Sequence, residues 1–264
     1  MPQFKEKAMK TWKLEEWQGI DDPDQELLFF GLFHDRDFEI FHNFKGQKYV
    51  FWCGGDILRL KEDYERQRVM KIAPTTKHYC ENEVEAQNLR SVGLNPEVIP
   101  SFLGEISDYP ISFEMPKDGK WKVWMCAHQK REQEYGVDQA RSLAKIFDDV
   151  EFHIYGVDKT TVAGSLPNVI YHGQVKEEVL DKEIREYHCG LRCNEHDGVS
   201  EIPIKSMLLG QYPITRMPYE GVWQYQSFEE LILLIKRLKE QKEPNLKARE
   251  IWLNKLNKYP WCLS

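Results

Sequence analysis

Residues 191–201, Leu-Arg-Cys-Asn-Glu-His-Asp-Gly-Val-Ser-Glu, join an apolar, strand-like run to a helix-like run over residues 202–209 that Gly210 stops. A strand–loop–helix unit of this kind aims the N–H groups of its loop and first helical turn at one place, where a phosphate or a sugar hydroxyl is held. The loop therefore points to a nucleotide-sugar site. In it, Asp197 is suited to accept hydrogen bonds from sugar hydroxyls, Gly198 allows close backbone approach, and the amides of Val199 and Ser200 face sugar or phosphate. Asp, Gly and Ser also form ordinary turns; the position between a buried strand and a helix favours the ligand. Arg192 sits inside the apolar strand, where an unpaired charge is costly, so it is either paired within the fold or turned toward a ligand.

Three further groups carry chemistry. Lys130 and Arg131 follow a strand, at the carboxyl edge where parallel sheets bind ligands, and the arginine fork matches phosphate oxygens. The same four residues, Gln129 to Glu132, also read as a solvated charge cluster. Asp56, after Gly54 and Gly55 at a strand end, could orient an acceptor hydroxyl or act as a base; capping a helix that starts at Ile57 explains it equally well. No motif fixes His34 or His42 as contacts, and the aromatics around Trp223 and Tyr225 read as sealing an edge rather than stacking on a sugar. Cys53, Cys80, Cys126, Cys189, Cys193 and Cys262 are scattered and read as free thiols; with no second Cys/His pair at ligand spacing, no metal is expected.

These residues need a scaffold, and the second half of the chain supplies a regular alternation. Strands are expected over residues 121–127, 151–156, 168–173, 189–193 and 212–215. Helices are expected over 137–147 and 176–187, up to Leu209, and from Ser227 with Glu230 as a capping box. Apolar strands alternating with helices of about ten residues indicate a parallel sheet covered on both faces. The first half repeats the pattern more weakly, with strands over 27–33, 48–53, 77–80 and 96–100. Asn82 caps a helix that has Glu85 at its third position and ends at Gly93. Pro110, Pro116, Asp118 and Gly119 mark a boundary within residues 108–120.

Composition sets the limits. The 264 residues are 41% hydrophobic and 30% charged, which suits one large soluble domain or two small ones. A net charge of −7 offers no basic stripe for nucleic acid. Lys5, Lys7, Lys10 and Lys13 around Trp12 could touch an anionic membrane surface, though a solvated N-terminal helix is the plainer reading. No apolar run is long enough to span a bilayer and the start lacks a signal-peptide core, so a cytoplasmic location is expected.

Four stretches in order, Trp52 to Ile57, Asn82 to Pro100, Lys130 to Val137 and His196 to Gly210, resemble the retaining, nucleotide-diphosphate-sugar-dependent family of glycosyltransferases with the GT-B fold (glycosyl transferases group 1). The resemblance implies an α/β chain of two Rossmann-like domains facing across a cleft. A reduced N-terminal, acceptor-side domain spans residues 1–116, and a nucleotide-sugar-binding domain spans 117–264. It further implies metal-independent, cofactor-free transfer, with retention, to a glycan, lipid or protein acceptor; the oligomeric state is left open. It places Lys130 and Arg131 on the donor diphosphate and the 197–201 loop on the sugar and nucleotide. The family's late loop carries two glutamates, matched here by Asp197 and Lys205. An ammonium only donates, so Lys205 cannot accept from ribose hydroxyls, and Glu201, one turn earlier, can pair with it. That departure, with the short N-terminal half, keeps a non-catalytic GT-B-derived binding or assembly module as an alternative. A nucleotide-sugar epimerase is a third reading.

Overall fold

The structure is a computed structural model that describes residues 2–19, 22–158, 164–256 and 258–260. Cys262 lies outside the described residues. The chain divides into two compact units, one of Met1–Gly104, His196–Val199 and Lys255–Ser264, the other of Glu105–Glu195 and Ser200–Asn254.

The first unit runs α1 (Pro2–Thr11), β1 (Glu26–Phe30), α2 (Asp35–Asn43), β2 (Gln47–Trp52), α3 (Asp63–Met70), β3 (Thr76–Cys80), α4 (Glu83–Ser91) and β4 (Glu97–Val98). Its sheet is parallel in the order β1-β2-β3-β4, with Phe51 opposite both Phe30 and Tyr79. Strand β2 is buried on both faces, and alternate residues serve two cores. Val50 and Trp52 pack with Phe38, Phe41 and Leu89, while Tyr49 and Phe51 pack with Tyr79, Trp12 and Tyr259. Trp12 is therefore not the centre of a surface patch. Its ring lies 5.1 Å from Phe30 and 5.0 Å from Tyr259, wholly buried, and it fixes the end of α1 to the sheet.

Neither α2 nor α3 is expected from periodicity. In α2 a local device substitutes for a long apolar stripe: Asp37 Oδ2 accepts from the backbone N–H of Phe33 (3.0 Å) and His34 (2.8 Å), and Phe38 and Phe41 anchor the buried face. His34 is the exposed cap of this helix and His42 lies exposed in its last turn. Asn82 caps α4 as expected, accepting from Glu85 N–H at 3.0 Å. Strand β4 is shorter than expected because Pro96 and Pro100 bracket it and cannot donate to a ladder.

The second unit runs β5 (Trp121–Cys126), α5 (Val137–Ile146), β6 (Val150–Tyr155), β7 (Val169–Gly173), α6 (Glu177–Glu183), β8 (Cys189–Arg192), α7 (Glu201–Leu208), β9 (Ile214–Thr215), β10 (Trp223–Gln224), α8 (Phe228–Leu238) and α9 (Leu246–Lys255). Its strands are parallel in the order β10-β9-β8-β5-β6-β7. From β5 the chain moves outward through β6 and β7, then returns to the other side of β5 through β8, β9 and β10. This is the doubly wound order of dinucleotide-binding folds, and its direction reverses between β5 and β8. Val123, Phe152, Ile154 and Leu191 fill the core, and α8 lays Leu231, Ile235 and Leu238 onto it. Each such buried aliphatic side chain contributes about 2 kcal/mol. Among the described residues, no helix is long and apolar enough to cross a membrane.

Candidate functional site

A doubly wound sheet binds ligands outside the carboxyl ends of the strands where its winding reverses. In the second unit that point lies at the ends of β5 and β8, and two arginines meet there. Arg131, in the connection from β5 to α5, places its guanidinium 5.7 Å from the centre of the Tyr135 ring. Arg192, the last residue of β8, lies 4.9 Å from the same ring. Arg131 is exposed and also pairs with Glu134 through Nε at 2.8 Å. Arg192 is half-buried, so the strand's arginine is held by an aromatic face at the sheet edge. Lys130 is exposed, and its backbone N–H donates to His128 Nδ1 at 3.2 Å.

Gly136 brings α5 to this edge. It has φ +78° and a Cβ there would lie 2.3 Å from Cys193 Cβ, so only glycine permits the approach of the helix start to the end of β8. The start of α5 follows directly on the Arg131–Tyr135 segment, its Val137 N–H donating to the Glu132 carbonyl at 3.1 Å, and the two guanidinium groups on Tyr135 are suited to a polyanion. Elsewhere in this unit, a cavity of about 420 Å³ is lined by Ser112, Lys122, Arg185 and His188; it lies near the amino ends of β5 and β8, at the opposite edge.

Beyond β8, Ser200 caps α7, its hydroxyl accepting from Ile202 N–H at 3.4 Å. Glu201 and Lys205 pair as their spacing predicts, at 3.2 Å. Two further carboxylates reach Lys205 from α6, Glu177 at 3.0 Å and Asp181 at 2.8 Å. Asp181 also accepts from the Tyr109 hydroxyl at 2.9 Å, and the Tyr109 ring faces the ammonium. Lys205 is 2% exposed. Burial alone would lower its pKa, but the carboxylates, Glu201 foremost, hold it well above the ordinary lysine value. The position that the resemblance assigns to ribose binding is a buried cation satisfied inside its own unit.

The remaining candidates belong to the first unit. Asp56 is fully buried and accepts backbone N–H bonds from Leu32 (3.2 Å), Cys53 (3.0 Å) and Ile57 (3.0 Å). Burial raises its pKa to about 6 against the pull of those donors. These bonds tie the end of β1 to the turn after β2 and cap the short helix Ile57–Lys61, which is the capping role open to it in the sequence.

The segment His196–Val199 meets two acids that the sequence reading did not single out as functional. Glu81, at the end of β3, accepts the Val199 N–H on Oε2 at 2.8 Å and the Ser101 hydroxyl on Oε1. Asn82 donates from Nδ2 to the Asp197 carbonyl at 3.3 Å. Gly198 lies flat against Glu81: a Cβ there would stand 1.6 Å from Oε2. The Val199 amide, read as facing sugar or phosphate, is engaged by a carboxylate of the chain itself. Glu85 accepts the Glu81 N–H on Oε2 at 2.9 Å, and its Oε1 is buried with no hydrogen-bond partner. Burial pushes both glutamates well above the usual carboxylate range, and their negative neighbours push further. Among the described residues, no lysine or arginine pairs with Asp56, Glu81 or Glu85. The one sequence signal was Glu85 three residues after Asn82; nothing local announces Glu81.

No family model matches the sequence, and no curated protein matches it. Solved structures do. The chain is similar to TarM of S. aureus (TM-score 0.63, 16% identity, covering 92% of this chain and 53% of TarM), another structure of which holds UDP and alpha-GlcNAc-glycerol. It is similar to sucrose-phosphate synthase of Thermosynechococcus elongatus (TM-score 0.65, 13% identity, 85% and 67% covered). It is also similar to the lipopolysaccharide outer core galactosyltransferase WaaB (TM-score 0.59, 13% identity, 80% and 72% covered). The chain thus spans about half the length of TarM. Two parallel α/β units, one doubly wound, and these likenesses together give the chain the Rossmann-like GT-B fold of glycosyltransferases.

Proposed function

We propose that this chain transfers a sugar from a nucleotide-diphosphate donor to a hydroxyl of a glycan, lipid or protein. The observation that carries the reading is the pair of guanidinium groups on Tyr135, beside the start of α5, at the winding reversal of the second unit. Breaking a glycosyl–phosphate bond leaves charge on the departing diphosphate. In this reading Arg131 and Arg192 form the cationic surface on which that charge is stabilised without a metal ion. The resemblance assigns the sugar to Asp197, and retention of configuration follows from the same likeness.

A thermal-shift and hydrolysis panel of nucleotide sugars and nucleoside diphosphates tests this. One diphosphate should stabilise the protein and its sugar donor should be slowly hydrolysed; no response to any of them rejects the proposal. Arg131→Ala should weaken diphosphate binding, and unchanged affinity rejects the role given to Arg131. One observation favours a second reading, a binding module without transfer: Lys205 is consumed by Glu177, Asp181 and Glu201 where ribose would need an acceptor. Stabilisation by a diphosphate without turnover of any sugar donor selects that reading.

A further inference from the structure

We propose that Glu81 is a positioning residue for the Asp197–Val199 loop, fixing the backbone from which Asp197 projects. The inference rests on the donor-side reading of that loop and adds the residue that sets it.

Two adjacent residues at the end of β3 hold the loop on either side of Gly198. Glu81 takes the N–H of Val199 and Asn82 takes the carbonyl of Asp197, so both peptide groups flanking Gly198 are pinned. Gly198 is the complement of this grip, since any larger residue would overlap Glu81 Oε2. Glu81 is itself immobilised. Ser101 occupies its other oxygen, Glu85 takes its backbone N–H, and it is 7% exposed. Asn82 is locked in turn by capping α4. A buried carboxyl with one oxygen on this loop and the other on the Ser101 hydroxyl is a costly way to fill space; an apolar side chain would do so without desolvating a carboxyl. What the carboxyl adds is direction, because an acceptor at Oε2 allows one placement of the Val199 amide.

The test separates this grip from the transfer reading. Glu81→Gln keeps an acceptor for Val199 and gains a donor for the Ser101 hydroxyl; Glu81→Met fills the space and removes the acceptor. Burying Met in place of a carboxyl favours folding, so both variants of the full chain should be obtainable. Residue-resolved hydrogen exchange of the unliganded chain should show Val199 exchanging at least about tenfold faster in Glu81→Met and within about threefold of wild type in Glu81→Gln. Protection in β2 and β3 should be unchanged. Unaltered Val199 exchange in Glu81→Met overturns the proposal whatever the chain binds. If a nucleotide sugar is turned over, Glu81→Met should lower kcat about tenfold or more with KM less affected, and Glu81→Gln should restore it. Equal loss in both variants overturns the positioning role. Failure of every nucleotide sugar in wild type rejects the transfer reading alone, since exchange still decides the grip.

Discussion

Replacing Glu85 by Gln should flatten the alkaline side of the stability curve of the first unit. Glu81 and Glu85 are buried together, each raised by burial and then by the other acids around it, Asp56 and Asp197, with Cys53 also nearby. The folded pair therefore keeps at least one proton near neutrality that the unfolded chain has released. A carboxyl with its folded pKa above its unfolded value contributes stability that is complete below the unfolded value. That contribution is lost as pH rises toward the folded one. One retained proton corresponds to about 1.4 kcal/mol per pH unit, so about 3 kcal/mol is lost between about pH 6.5 and pH 8.5. That is a large share of the 5–15 kcal/mol or so that holds a typical domain together. Cys53 and Cys80, raised by burial, add to the slope only at the alkaline end of the window, where unfolded thiols begin to ionise, and that share persists in Glu85→Gln. His78, lowered by burial to about 4, has given its full contribution by about pH 6.5, and Asp56, raised to about 6, has already titrated. In Glu85→Gln the neutral amide needs no proton. Glu81, with the Ser101 and Val199 donors and one fewer negative neighbour, then titrates lower. Urea unfolding followed by tryptophan fluorescence, with hydrogen exchange in β2 and β3 reporting the first unit, gives the slopes. Wild-type stability that stays level across the window, or the same slope in Glu85→Gln, refutes the reasoning.

Three other outcomes follow from the same geometry. Lys205→Met leaves Glu177, Asp181 and Glu201 facing one another, and should cost about 3 kcal/mol in urea unfolding of the second unit, the low end for a broken buried pair because all three acids keep some contact with solvent; a loss under about 1 kcal/mol would show that the network is not formed. Gly198→Ala should destabilise by about 2 kcal/mol, since its Cβ must displace Glu81, and should be partly rescued by adding Glu81→Ala; additive effects in the double-mutant cycle would contradict the contact. The second unit should lose stability in acid. Burial lowers His188 to about 4, so stability complete above about pH 6.5 is lost as pH falls through that interval, by about 3 kcal/mol, with His153 and His172 shifted the same way. His188→Gln with an unchanged acid slope would count against it.

The alternation of the second half was legible because parallel strands covered on both faces are written as continuous apolar runs, and because Ser227 and Glu230 form their capping box within one turn. Strand order was not, since nothing within β5 or β8 says that they pair. Yet that pairing brings Arg131 and Arg192 to one tyrosine. The Glu201–Lys205 pair could be read from spacing along α7, whereas Glu177 and Asp181 arrive from α6 and are visible only once the helices pack. Glu81 is the extreme case. It looks like a polar residue closing a strand, and its function as an acceptor depends on a loop more than a hundred residues later in the chain. Trp12 shows the converse. Flanking lysines made its surroundings look solvated, although a tryptophan among them belongs to the core.

Lys205 bears most directly on what this fold does. A buried lysine without partners would cost several kcal/mol that a marginally stable domain could not absorb. Three carboxylates and a tyrosine ring surround Lys205, two of the carboxylates from a different helix, so the charge is satisfied within its own unit. At the end of β5, Arg131, Tyr135 and Gly136, with Arg192 from β8, keep a cationic edge that no core packing requires, since Arg131 is exposed and Lys130 beside it is free of any ion pair among the described residues. Stability alone explains the Lys205 cluster, whereas it does not explain the arginine edge. The arginine edge is therefore where function is to be sought first.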